Sequence, residues 1–170
     1  MATWQCDFLL APSAELGGRT DFVHEPLPEP LSRWLPGEQV RDTLWWRRVR
    51  PPADLLARAA AAAPAAPSWS AGLTTFGRED GNRIDVWREG DRVTSVLVRV
   101  DLRQPDRRFL GAVVDLARTA DAVLLRLDGL VVPALLATLE EAVATSAAAR
   151  FVADPDAYLR RVRIGGPADA

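Results

Sequence analysis

Apolar and polar side chains alternate most clearly between Arg83 and Arg103, RIDVWREGDRVTSVLVRVDLR. In the first arm Ile84 and Val86 fall on one side, with Arg83, Asp85, Trp87 and Glu89 on the other. In the second, Val96, Val98, Val100 and Leu102 oppose Ser95, Leu97, Arg99, Asp101 and Arg103. A period of two marks strands, because successive side chains point to opposite faces. With Gly90 and Asp91 between the arms, the stretch reads as a β-hairpin. A plain two-residue loop would set Val86 beside Ser95 and mix apolar with polar residues on both faces. A three-residue loop, or a bulge of one residue, sets Val86 beside Val96 and Ile84 beside Val98. That register is expected, since a slip of one residue would turn an entire apolar set to the wrong face. The opposite face then presents Asp85, Trp87, Arg99, Asp101 and Arg103, with Asp85 diagonal to Arg99 and within reach of it.

Before the hairpin, Trp4, Cys6, Phe8 and Leu10 alternate with Gln5, Asp7 and Leu9, which predicts a strand over Thr3 to Leu10. The chain from Gly17 to Pro52 is interrupted by six prolines (26, 28, 30, 36, 51 and 52) and carries Trp34, Trp45 and Trp46. Prolines fix φ and remove backbone donors, so no central strand is expected there, while the tryptophans suggest a cover packed on the sheet. Asp54 to Ala63 reads as a helix anchored by Leu55 and Leu56, Leu73 to Phe76 as a short strand, and Arg78 to Asn82 as a turn. After Arg103, Pro105 is expected as the first helical residue, with Asp106 in the first turn. Phe109, Leu110, Val113, Val114, Leu116 and Ala117 form the apolar stripe of this helix, which ends near Thr119. Ala122 to Leu127 alternates as a strand, completing a βαβ unit whose two strands should run parallel. Pro133 opens a further helix burying Leu135, Leu136, Leu139 and Val143, and Asp154-Pro155 caps a last one before a frayed tail at 165–170. The sum is a single α+β domain spanning residues 1–170: a mixed β-sheet with a central antiparallel hairpin and a C-terminal βαβ unit, helices mainly on one face.

The 170 residues, 48% of them hydrophobic, suffice for one domain with a core. A net charge of -2 and a pI near 5.5 leave no footprint for nucleic acid. Every basic side chain other than the lone histidine is arginine, which points to a GC-rich bacterial genome and weakens any arginine as a sign of phosphate binding. The start lacks a basic segment followed by a long apolar run, and no stretch approaches a membrane span, so a cytoplasmic protein without membrane contact is expected.

Candidate chemistry is sparse. Cys6, the single cysteine, lies on the apolar side of its strand and reads as a small buried hydrophobe. His24, the single histidine, sits in a proline-rich loop and cannot supply a metal cluster. Glu79, Asp80, Asn82 and Asp85 do not match the order of a calcium loop and are better explained as a turn. Phosphate-loop, GxGxxG, GxSxG and HExxH motifs are all missing, so neither a cofactor nor a metal is expected. Two constellations remain. Asp85, Arg99, Asp101 and Arg103, with Asp7 or Asp128 on flanking strands, form either a salt-bridged lattice or a binding surface walled by Trp87; interleaved arginines would keep the carboxylates ionised and unsuited to acid–base work. Trp45 and Trp46 open the string WWRRVR, which reads either as a binding surface, since tryptophan and arginine are enriched where proteins bind proteins, or as one core tryptophan beside an arginine-rich solvated edge.

The strings WW at 45 and 46, SW at 68 and 69, FGREDGNRIDV from Phe76, VRVDLR from Val98 and FVADPDAYL from Phe151 resemble small uncharacterised bacterial single-domain proteins of unknown function. In size and style the chain is also similar to bacterial immunity proteins, which neutralise toxin partners. None of these strings carries an assigned chemical role; the richness in tryptophan and arginine without a catalytic constellation is what points to a non-enzymatic domain that binds a protein partner. The alternative is a small-molecule-binding protein or hydrolase using Asp85, Arg99 and Asp101 on the outer sheet face.

Overall fold

The computed structural model describes residues 4–16 and 44–164, with side chains as far as residue 160. His24, most of the proline-rich stretch and the tail at 165–170 lie outside the described residues. The elements run β1 (Gln5–Pro12), a 3₁₀ turn (Ser13–Leu16), α1 (Leu55–Ala62), β2 (Ala65–Ala66), β3 (Leu73–Gly77), β4 (Arg83–Glu89), β5 (Arg92–Asp101), α2 (Arg107–Thr119), β6 (Ala122–Arg126), β7 (Val131–Val132), α3 (Leu136–Ala144), α4 (Ala147–Ala153) and α5 (Pro155–Ile164). The fold is α+β, built on one seven-stranded sheet in the order β2-β3-β4-β5-β1-β6-β7.

The hairpin register is the expected one. Val86 pairs with Val96 and Ile84 with Val98, and the extra residue is a bulge: Trp87 pairs with Ser95 but Arg88 with Val93, leaving Thr94 over. Gly90, at φ 59°, supplies the left-handed backbone that the turn requires. Gly77 does the same at φ 104°, where β3 turns toward β4 and a Cβ would collide with the Asn82 carbonyl oxygen.

The expected mixed sheet is corrected. β6 does run in the direction of β5, but β1 lies between them, antiparallel to both. Among the described residues every hydrogen-bonded pair of strands is therefore antiparallel. The reason is in β1 itself: all eight of its residues are buried, so it needs a strand on each side and cover on both faces.

Helices gather on the face of Cys6 and Phe8. Ser146 at the start of α4 lies beside the Cys6 thiol, and Arg126, which pairs with Phe8 across the ladder, donates to the Ala142 carbonyl of α3. The stripe expected on α2 is the set it buries. Asp106 is its N-cap rather than a first-turn residue, accepting from the amides of Arg108 and Phe109 at 2.9 and 3.2 Å, so Pro105 stays outside the helix. Leu135 likewise caps α3 instead of packing within it, and is 54% exposed. α4, capped by Ser146 accepting from the Ala149 amide, is an element the residue pattern had not announced.

Trp46 ties the divided centre of the sheet. β1 pairs with β5 only from Gln5 to Leu9, and beyond that point the two strands part. The Trp46 indole Nε1 donates to the Leu10 carbonyl at 3.0 Å and its backbone N–H to the Thr94 carbonyl at 3.3 Å. Both acceptors sit where the β1–β5 ladder has ended, and an unpaired carbonyl in a core is costly. Trp46 is fully buried and Trp45 is 4% exposed.

Candidate functional site

The sheet face turned away from the helices carries Asp7, Leu9, Thr75, Asp85, Trp87, Leu97 and Arg99, as strand alternation and register dictate. It is concave. A groove of about 590 Å³ has Leu9, Leu73 and Leu97 among its lining, Arg83, Asp85 and Arg99 as its charged groups, and Trp87 and Trp69 as its aromatic ones. The two rings meet edge to face, 5.2 Å apart at 68°, which is a favoured arrangement for aromatic pairs. Trp87 is half-buried, whereas Trp69 is 75% exposed, the most exposed large apolar side chain among the described residues.

The charges of this face are engaged with one another. Asp85 accepts from the Thr75 hydroxyl at 2.9 Å and from Arg83 Nε at 2.8 Å. Arg99 pairs with Asp7 at 3.0 Å and, through its second nitrogen, at 3.4 Å. The expected diagonal partnership of Asp85 with Arg99 is thus replaced by a nearer choice for each: Arg83 two residues away on the same strand, and Asp7 directly across the ladder. Buried carboxylates held this way brace the sheet, in keeping with a salt-bridged lattice.

The expected site residues divide into three groups. Asp85, Trp87 and Arg99 share the groove. Asp101 and Arg103 belong to a separate cavity of about 450 Å³ with Asp80 and Asn82, where Arg103 grips Asp101 at 2.9 Å and lies over the Trp4 ring at 4.8 Å. Hydrogen bonds from Arg103 hold the Asp101 carboxyl below the ordinary carboxylate range. Trp45 and Trp46 are core residues, a correction to their reading as a binding surface, because the gap between β1 and β5 absorbs the second ring and leaves little of the first at the surface. Trp69 was missed as a site residue. Its signal was its position just before β3, whose Leu73 pairs with Trp87.

Cys6 is 4% exposed, and burial pushes its thiol up to about 12, opposed in part by the Ser146 hydroxyl. Since the thiolate is the reactive form, the native protein is expected to resist a thiol reagent at about pH 8 and to react fully once denatured. Absorbance after Ellman's reagent checks this, and rapid labelling of the folded chain would contradict the burial. Among the described residues no cluster of histidine, cysteine, aspartate or glutamate is arranged to hold a metal ion. No helix among them is long and apolar enough to cross a membrane. No protein-family model, curated protein or solved structure matches the chain.

Proposed function

We propose that this chain is a binding domain without chemistry of its own, which captures a protein partner at the Trp69–Trp87 groove. The observation that carries the reading is an indole left 75% exposed on a folded edge and propped by a second indole. Tryptophan is the residue most enriched where truncation costs a complex most of its affinity, because it joins a large apolar area to a directional N–H donor. The groove supplies apolar floor and guanidinium rim, the combination typical of an interface centre. Engagement of Asp85 and Asp7 in internal ion pairs supports binding over acid–base catalysis by those carboxylates. The use of arginine in place of lysine supports a bacterial source with a GC-rich genome.

Trp69→Ala is expected to lower affinity for the partner at least tenfold, since hot-spot truncation costs about 2 kcal/mol or more, while leaving the melting temperature within a degree or two. Comparative affinity purification with the wild type and this variant tests the reading. Recovery of the same proteins by both would sink it. A second reading, a small-molecule site, is favoured by the concavity of the face, whose volume lies within the usual range for ligand pockets. A compound that raises the melting temperature of the wild type but not of Trp69→Ala would move the assignment there.

A further inference from the structure

Beside its aromatic wall, the Trp69–Trp87 groove holds unused hydrogen-bonding capacity. Asp85 accepts both of its bonds, from the Thr75 hydroxyl and from Arg83 Nε, on the one oxygen Oδ1. Its other oxygen, Oδ2, has no partner among the described residues. The residue lines the groove and is only 5% exposed, so the groove is the side from which a donor can reach that oxygen. An ionised carboxylate has about four lone-pair sites, and bonds to it are stronger than those between neutral groups. Donors stand close by. Arg83 uses Nε on Asp85, and Arg99 uses Nε and one terminal nitrogen on Asp7. Each guanidinium keeps a terminal nitrogen without a partner among the described residues, and both line the groove. A group that suits this place donates to Asp85 and accepts from an arginine.

Charge selects among such groups. Arg83, Arg88 and Arg99 line the groove with Asp85 and Glu89, and Asp7, paired with Arg99, brings the carboxylates to three as well. Neither sign is in excess. An inserted guanidinium or ammonium would approach Arg83 and Arg99, and an inserted carboxylate would approach Asp85. Each would add like-charge repulsion to its own loss of water. A hydroxyl bears neither cost, and it both donates and accepts. The wall then specifies what carries the hydroxyl. Trp69 is 75% exposed and meets Trp87 edge to face, an arrangement that a third ring extends. A phenol joins the two requirements, an aromatic face ending in a hydroxyl, and tyrosine is among the side chains that dominate protein interfaces.

We infer that the protein partner anchors in this groove through a tyrosine, its ring against Trp69 and its hydroxyl donating to Asp85 Oδ2 while accepting from Arg83 or Arg99, which rests on the groove being the interface proposed above.

The test is titration of the full chain with the N-acetyl amides of tyrosine, phenylalanine, arginine and glutamate, followed through the indole N–H resonances of Trp69 and Trp87. The tyrosine amide is expected to bind with millimolar affinity and to shift both resonances. The phenylalanine amide should bind about fivefold more weakly or worse, the effect of losing a hydrogen bond to a charged acceptor, and the two charged amides more weakly still. Asp85→Asn keeps the shape of the side chain. Since Thr75 and Arg83 both donate, they hold its amide oxygen and turn its NH₂ toward the groove. Tyrosine's advantage over phenylalanine should then shrink to about twofold or less, a ratio taken within one protein and so unaffected by any change in its stability. Equal binding of the tyrosine and phenylalanine amides, both lost in Trp69→Ala, overturns the hydroxyl anchor and leaves the groove as an apolar interface. Tighter binding of the arginine or glutamate amide overturns it in favour of a charged anchor. If no amide moves either resonance, the tyrosine falls, and affinity purification with Trp69→Ala alone decides whether the groove is the interface.

Discussion

Trp46→Ala is expected to remove about 3–5 kcal/mol of stability, the usual cost of truncating a fully buried aromatic, against a total of about 5–15 kcal/mol for a domain. Two losses combine. The cavity left behind lies between β1 and β5 where no ladder can close it, and the Leu10 carbonyl loses the indole that satisfies it at 3.0 Å. Trp46→Phe separates these contributions. It keeps most of the ring and the backbone bond to Thr94, and leaves only the Leu10 oxygen unpaired, for an expected cost of about 1–3 kcal/mol. Urea unfolding of the two variants gives both values from the midpoint shift at constant slope. Equal losses would mean that the hydrogen bond, not the packing, carries the tie; a loss below about 1 kcal/mol in the alanine variant would show that the strands hold together without Trp46.

What the residue pattern revealed, and what it hid, follows from what periodicity can encode. Alternation states which face a side chain occupies, so the hairpin register and the stripe of α2 were legible to the residue. It does not state which strand is a neighbour, and nothing in Gln5–Pro12 says that it lies between β5 and β6. Two-residue strands such as β2 and β7 carry no periodicity at all. The site was legible in the same measure. Asp85, Trp87 and Arg99 were found because they alternate, whereas Trp69 belongs to no element and gains its meaning only from Trp87. Trp45 and Trp46 misled for the converse reason: a local string of tryptophan and arginine looks alike whether it faces a partner or fills a gap between strands.

Arg83→Met should cost about 3–5 kcal/mol, because it strands a carboxylate whose side chain is 8% exposed with the Thr75 hydroxyl as its remaining partner. The Arg83 side chain is itself only 13% exposed, so solvent screens the pair little. A hydrophobic pair at these positions removes the desolvation cost along with the attraction. Arg83→Met with Asp85→Leu should therefore recover to within about 1–2 kcal/mol of the wild type, the residue of the loss arising from a Thr75 hydroxyl without its acceptor. The resulting coupling, measured by a double-mutant cycle in urea, should be at least about 2 kcal/mol. Additive losses would show that Arg83 and Asp85 stabilise the fold separately. The double variant also bears on the groove. If the ion pair serves only to brace the sheet beneath the aromatic wall, partner affinity should survive its replacement and still fall with Trp69→Ala. If affinity falls with the double variant while stability is regained, the charges belong to recognition, and the binding surface extends from the tryptophans across the floor of the groove.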